Sequence, residues 1–167
     1  MTRIAEQMVA RPPLHSLDLR VYYEDTDAGG LVYHANYLKF AERGRTEMLR
    51  SLGFAHPRLR EESGVGFAVR RCTADYRAAA RLDDAVTVET RVTAVGAATF
   101  CLEQHIRRAG RTLVALDVLV ACIGQEGRPR RLPPALRAAI AGRLNLPSSS
   151  HNDPKDAIKG CNNAVHS

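Results

Sequence analysis

The chain has no tryptophan, and its four phenylalanines and five tyrosines make up only 5% of it. So few rings leave little on which exposed bases could stack, which argues against a single-stranded nucleic acid as partner. Lysine is scarce as well: Lys39, Lys155 and Lys159 are the only ones among 24 basic residues. The formal charge of +6 is therefore mostly arginine, whose planar fork grips a phosphate through two parallel bonds. An anionic small molecule suits such a surface as well as a polynucleotide does, and plain solvation by arginine explains it equally. Cysteine is limited to Cys72, Cys101, Cys122 and Cys161, with no Cys-x-x-Cys pair among them. That spacing removes zinc-knuckle and thioredoxin-like readings and leaves free, buried thiols in a reducing compartment as the expected state. No apolar run approaches the roughly 18 residues of a membrane span. The opening "MTRIAEQMVARPPLHS" has no apolar block of signal-peptide length. A cytoplasmic protein is expected, with peripheral association at the inner membrane as a variant of that reading.

What is present is ordinary globular material. A chain of 167 residues, 45% hydrophobic and 25% charged, is long enough for one domain with a real core. Residues 1–15 carry a Pro-Pro pair and no periodicity and read as a flexible lead-in. "SLDLRVYY" alternates Leu17, Leu19, Val21 and Tyr23 on one face, as a strand does. From Ala35 to Leu52 the apolar residues recur near helical spacing, and Gly53 is a natural residue to follow the last turn. "HPRLREE" offers one short helix. The period then becomes two, predicting strands over 65–77, 86–92 and 100–106 and in the apolar run "TLVALDVLVACIG". "RRAGRT" marks a tight hairpin turn. The last run is apolar on both faces and belongs inside a sheet rather than on its edge. Pro133 and Pro134 open a short helix over 135–144, and the polar, Ser- and Asn-rich 147–167 reads as a disordered tail. The domain proper is 16–146. One long helix followed by hairpin-linked strands predicts an α+β fold with an antiparallel sheet. Gly44 in mid-helix suits a helix pressed closely against such a sheet, or is idle drift.

Residues 21–49, "VYYEDTDAGGLVYHANYLKFAERGRTEML", carry the chemistry. The stretch, continued more loosely through "FAVRRCTADYRAAARLDD", resembles the hotdog-fold superfamily in its 4-hydroxybenzoyl-CoA thioesterase branch. Within that branch it is most similar to the Tol–Pal-associated acyl-CoA thioesterases of Gram-negative bacteria. The resemblance spans about residues 16–140. It implies a five-stranded antiparallel sheet wrapped around one long helix, and a homodimer or homotetramer with its active sites at the dimer interface. It further implies acyl-CoA as substrate, no cofactor and no metal. It places the catalytic aspartate on Asp27, and the backbone N–H that polarises the thioester carbonyl on His34. Relatives tend to carry alanine where this chain has Gly44.

The residues themselves support that chemistry. A helix start presents unpaired N–H groups and partial positive charge. Gly29 and Gly30 keep the preceding loop free of Cβ bulk, so a carbonyl oxygen can approach. Asp27 could attack the thioester or deprotonate a water; equally, it could only close an Asx-turn or cap the helix. Asp25 reads as a turn residue, and the His34 ring could bind water or substrate besides its amide. Tyr33, Asn36 and Tyr37 flank the same mouth, with Tyr33 and Asn36 expected at the substrate. Glu42 and Arg45, three apart, can pair. Arg70 and Arg71, with Arg77 and Arg81, are candidates for the phosphates of coenzyme A or for an acidic acyl carrier protein. A metal site from Glu24, Asp25, Asp27 and His34 lacks ligand spacing. A non-catalytic module binding acyl chains, carrier protein or envelope-division proteins is the competing reading.

Overall fold

A computed structural model of the protein describes residues 15–144. The lead-in up to residue 14 and the tail expected from residue 147 lie outside the described residues. The chain order is β1 (His15–Arg20), a single 3-10 turn (Tyr23–Asp25), α1 (His34–Ser51), α2 (His56–Ser63), β2 (Val65–Tyr76), β3 (Ala85–Val95), β4 (Thr99–Arg108), β5 (Arg111–Gly124) and α3 (Pro134–Ala141). β1 thus begins at His15, the last residue of the expected lead-in. The final helix is shorter than its sequence pattern, ending at Ala141 before Gly142.

All pairings are antiparallel, in the order β1-β3-β4-β5-β2. Period-two alternation puts Val86, Val88 and Val92 of β3 on the inner face, with Leu102 and Ile106 of β4, and all are essentially solvent-free. The β4–β5 turn carries Ala109 at φ 47° and Gly110 at φ 78°, the double left-handed pair that matches the twist of a tight hairpin. β5 is internal, between β4 and β2, as its two-sided apolar run predicted. The edges are β1 and β2, and β2 is kinked by an irregularity between Val69 and Arg71.

α1 lies against β1, β3 and β4 with Tyr37, Phe40, Ala41, Gly44, Met48 and Leu49 turned inward. The α+β hotdog architecture expected from the resemblance is the one observed: five antiparallel strands and one long central helix. Gly44 shows how tight the contact is. A Cβ there would stand 2.7 Å from Val88 Cγ1 and 3.3 Å from both Gln104 Nε2 and Thr90 Oγ1. The close-approach reading of this glycine holds. Fully buried Gln104 sits beneath it, donating to the Ala41 carbonyl and to Thr90 Oγ1, each at 2.9 Å. Its own oxygen accepts from Arg45 at 2.9 Å.

Two smaller expectations change. Glu42 does not pair with Arg45: it accepts from Thr46 Oγ1 at 2.9 Å, and no carboxylate among the described residues lies within ion-pair distance of Arg45. The reason is direction, because Arg45 points inward to Gln104 while Glu42 stays in solvent. Among the described residues Cys101 and Cys122 are buried and in no disulfide, but Cys72 is exposed on the edge strand β2.

Candidate active site

The acidic run divides into separate jobs. Asp25, 3% exposed, turns its carboxylate back onto the Tyr22 N–H at 2.9 Å and closes the 3-10 turn. Its carbonyl accepts from the Tyr33 N–H and from Asn36 Nδ2, each at 2.9 Å. Asp25 is therefore the structural member of the run, as its sequence position suggested. Asn36 is buried, and its amide ties the loop to the first turn of α1. Tyr37, also buried, accepts from the Ala80 N–H at 2.7 Å and fastens the β2–β3 connection to the same turn; burial pushes its phenol up.

Between these anchors, residues 26–32 form a small closed loop. Thr26 bridges Val32, and the Asp27 N–H donates to the Leu31 carbonyl at 2.8 Å. Val32 in turn donates to the Ala80 carbonyl at 2.9 Å. The bridge holds Asp27 at the end of the loop from which α1 departs. Asp27 Oδ1 accepts from the Gly29 N–H at 2.8 Å and the Leu31 N–H at 3.3 Å. The Asx-turn is therefore real, but it occupies one carboxylate oxygen and does not cap α1. The cap position is Tyr33, with no side-chain bond to the helix. Gly29 makes this geometry possible, since a Cβ would stand 3.2 Å from Asp27 Oδ1. Gly30 turns the chain at φ 73°, a left-handed value that favours glycine.

α1 begins at His34, whose N–H has no acceptor within the helix. The Asn36 N–H is already bonded to the Tyr33 carbonyl at 2.8 Å. Asp27, Gly29, Tyr33 and His34 are all exposed, so the carboxylate of the loop and the open end of the helix are both accessible to solvent. The His34 ring lies 4.4 Å from that of Tyr33, and 6.3 Å edge-on from Tyr76.

Tyr76, at the end of β2, escaped the sequence reading. Its hydroxyl donates to the His34 carbonyl at 3.2 Å, so the edge strand ends against the helix start. Nothing local marks it, because 42 residues separate the two. Arg70 and Arg71 are on the same strand, about 17–20 Å back from Tyr76 at roughly 3.3 Å per residue. Within one chain they are not brought to His34. Arg77 is taken up by Asp75 at 2.7 Å. Among the described residues no His, Cys, Asp and Glu side chains gather in a metal-holding group. No helix among them is long and apolar enough to cross a membrane.

Comparison with known proteins agrees with this geometry. The family model "Thioesterase superfamily" matches residues 29–115, a span that includes His34 and begins just after Asp27. The acyl-CoA thioesterase YbgC of Haemophilus influenzae is 47% identical over 126 residues, covering 75% of this chain and 93% of that protein. The acyl-CoA thioester hydrolase YbgC of Escherichia coli is 46% identical over 122 residues, covering 72% and 90%. Among solved structures, a probable thioesterase from Bartonella henselae superposes with a TM-score of 0.68 at 42% identity, covering 71% of this chain and 98% of that one. A five-stranded antiparallel sheet around a long helix, a carboxylate loop at that helix's start and these relatives agree: the chain belongs to the thioesterase superfamily.

Proposed function

We propose that this protein hydrolyses acyl-CoA thioesters to the free acid and coenzyme A, with Asp27 as the reacting carboxylate and the His34 N–H as the oxyanion donor. One observation carries the reading: Asp27 Oδ1 is fixed by two backbone N–H groups, leaving Oδ2 without a partner among the described residues, in the loop that leads into α1. A carboxylate needed only for its turn has no reason to sit beside an uncapped helix end.

In the reaction the thioester carbonyl oxygen lies against the His34 N–H, where the helix start favours developing negative charge. Asp27 Oδ2 takes a proton from water as the water oxygen bonds to the carbonyl carbon. The tetrahedral intermediate collapses, the C–S bond breaks, and the proton passes to the departing thiolate. Direct attack by Asp27 would instead form a mixed anhydride that water then opens; Oδ1 can stay in its turn on either route. Gly29, Gly30 and Tyr33 border the acyl carbonyl, and Asn36 supports them from below through Asp25.

The exposure of this mouth and the unpaired edge of β2 support a homodimer. Val69 and Tyr76 on that edge are 48% and 45% exposed, and an open edge strand with apolar side chains is a surface that proteins cover. Pairing through β2 brings Arg70 and Arg71 of a second copy towards the mouth, where coenzyme A phosphates would lie. Sedimentation of wild type beside Val69→Lys tests this, with dissociation to monomer expected for the variant. Thiol release over a panel of acyl-CoA esters tests the activity. Turnover of at least one chain class is expected; acyl-CoA binding without thiol release would favour the non-catalytic module.

A further inference from the structure

The first turn of α1 lacks the usual device against fraying. His34 opens the helix with an N–H that has no acceptor within it, and the cap position, Tyr33, makes no side-chain bond. A capping oxygen there would crowd the open N–H groups and offset the partial positive charge that favours an oxyanion. The turn that the reaction needs open must therefore be steadied from another side.

Tyr76, the last residue of β2, does this. Its hydroxyl donates to the His34 carbonyl at 3.2 Å. Its ring stands edge-on to the His34 imidazole at 6.3 Å and to the Tyr37 ring at 6.0 Å. Tyr37 continues inward to Phe40, again edge-on at 6.0 Å, and Phe40 is solvent-free. The helix start is thus tied through Tyr76 to the end of a sheet strand, and through Tyr37 to the core. Burial pushes the Tyr76 phenol up and Cys72 acts the same way, so at neutral pH the hydroxyl keeps the proton it donates. A clamp on the carbonyl side holds the turn and leaves the His34 N–H unoccupied.

We propose that Tyr76 is a positioning residue for the thioester hydrolysis: through its hydroxyl and its ring it fixes His34, so that the His34 N–H keeps its aim at the substrate carbonyl. The inference rests on the proposed reaction and adds to it a residue that does not itself touch the reacting atoms. Misplacing a reacting or activating group by about 1 Å can cost on the order of a hundredfold in rate. That cost falls on the transition state, where charge gathers on the carbonyl oxygen, and not on substrate binding. A tyrosine needed only for stability would show no such division between kcat and KM.

The test compares wild type with Tyr76→Phe, which keeps both ring contacts and loses only the bond to the His34 carbonyl. On an acyl-CoA ester kcat should fall about tenfold with KM within about twofold. Affinity for an S-alkyl coenzyme A thioether, which has no carbonyl for the N–H to meet, should not change. The backbone amide signal of His34 should shift or broaden by NMR, while the melting temperature moves by no more than about 2 °C. Tyr76→Leu, which loses the ring contacts as well, should lower kcat further, by about a hundredfold. An unchanged kcat in Tyr76→Phe, or a loss carried by KM and thioether affinity, overturns the proposal. Failure of the hydrolysis reading would show instead as no thiol release by wild type. The His34 signal then decides: a change in Tyr76→Phe upholds the clamp, and an unmoved signal removes it.

Discussion

Gln104 on β4 donates its buried side-chain amide to the Ala41 carbonyl of α1 at 2.9 Å, one polar bolt between the sheet and the helix that carries the active mouth. The same amide reaches Thr90 on β3, and its oxygen receives Arg45, so three elements meet on one residue. Replacing it with leucine keeps the volume but leaves the inward-pointing Arg45 donor and Thr90 unmatched. Gln104→Leu should lower stability by about 1–3 kcal/mol, read from the urea midpoint. A change within a few tenths would mean that the network is idle.

Gly44→Ala sets two effects against each other. Alanine gains about 1 kcal/mol in helix propensity, but its Cβ would meet Val88 Cγ1 at 2.7 Å. Forcing extra bulk into a packed core costs about 1–3 kcal/mol, so net destabilisation is expected. Combined with Val88→Ala, the loss should be less than the sum of the two single changes. Stabilisation by Gly44→Ala alone would contradict the tight contact.

Gly29→Ala touches only the carboxylate loop. Its Cβ would press on Asp27 Oδ1 from 3.2 Å, so Oδ1 must shift by a few tenths of an ångström. Thiol release should fall about tenfold, the equivalent of roughly 1.4 kcal/mol in the barrier, while the melting temperature barely moves. Loss of stability with unchanged turnover would assign Gly29 to folding instead.

Asp84, at the end of the β2–β3 connection, gives the fold an acid dependence. Burial alone would raise its carboxyl, but bonds from the Arg81 N–H and the Arg108 guanidinium outweigh that and hold it below the usual range. A carboxyl lowered on folding contributes stability above its unfolded value, near pH 4, and loses it as pH falls through the folded value. The ion pair is partly exposed, so the contribution is about 1 kcal/mol or less. Asp84→Asn should unfold earlier than wild type at pH 7, and the gap should close below about pH 4. A gap that persists in acid would contradict the charge assignment.

Much of this was legible in the sequence because it is local. Alternation gave the strands, Gly53 closes α1 at φ 88°, and Ala109-Gly110 turns β4 into β5. Asp27 and His34 could be named because the family resemblance that points to them rests on one continuous stretch, residues 21–49. What stayed hidden depends on distant pairings. Tyr76 meets His34, and Gln104 meets Arg45, only after the sheet has formed. The Glu42–Arg45 pairing failed for the same reason, since helical spacing allows a contact that a buried tertiary partner overrides.

The most direct measurement is steady-state thiol release by Asp27→Asn beside wild type, on an acyl-CoA ester that wild type hydrolyses. Asparagine retains Oδ1 for the Gly29 and Leu31 N–H groups, so the loop should persist and the melting temperature should match. Only the free, charged Oδ2 is lost. A fall in kcat of at least about 10² is the expected result, the lower end of what a positioned base contributes. A variant as fast as wild type would remove Asp27 from the reaction.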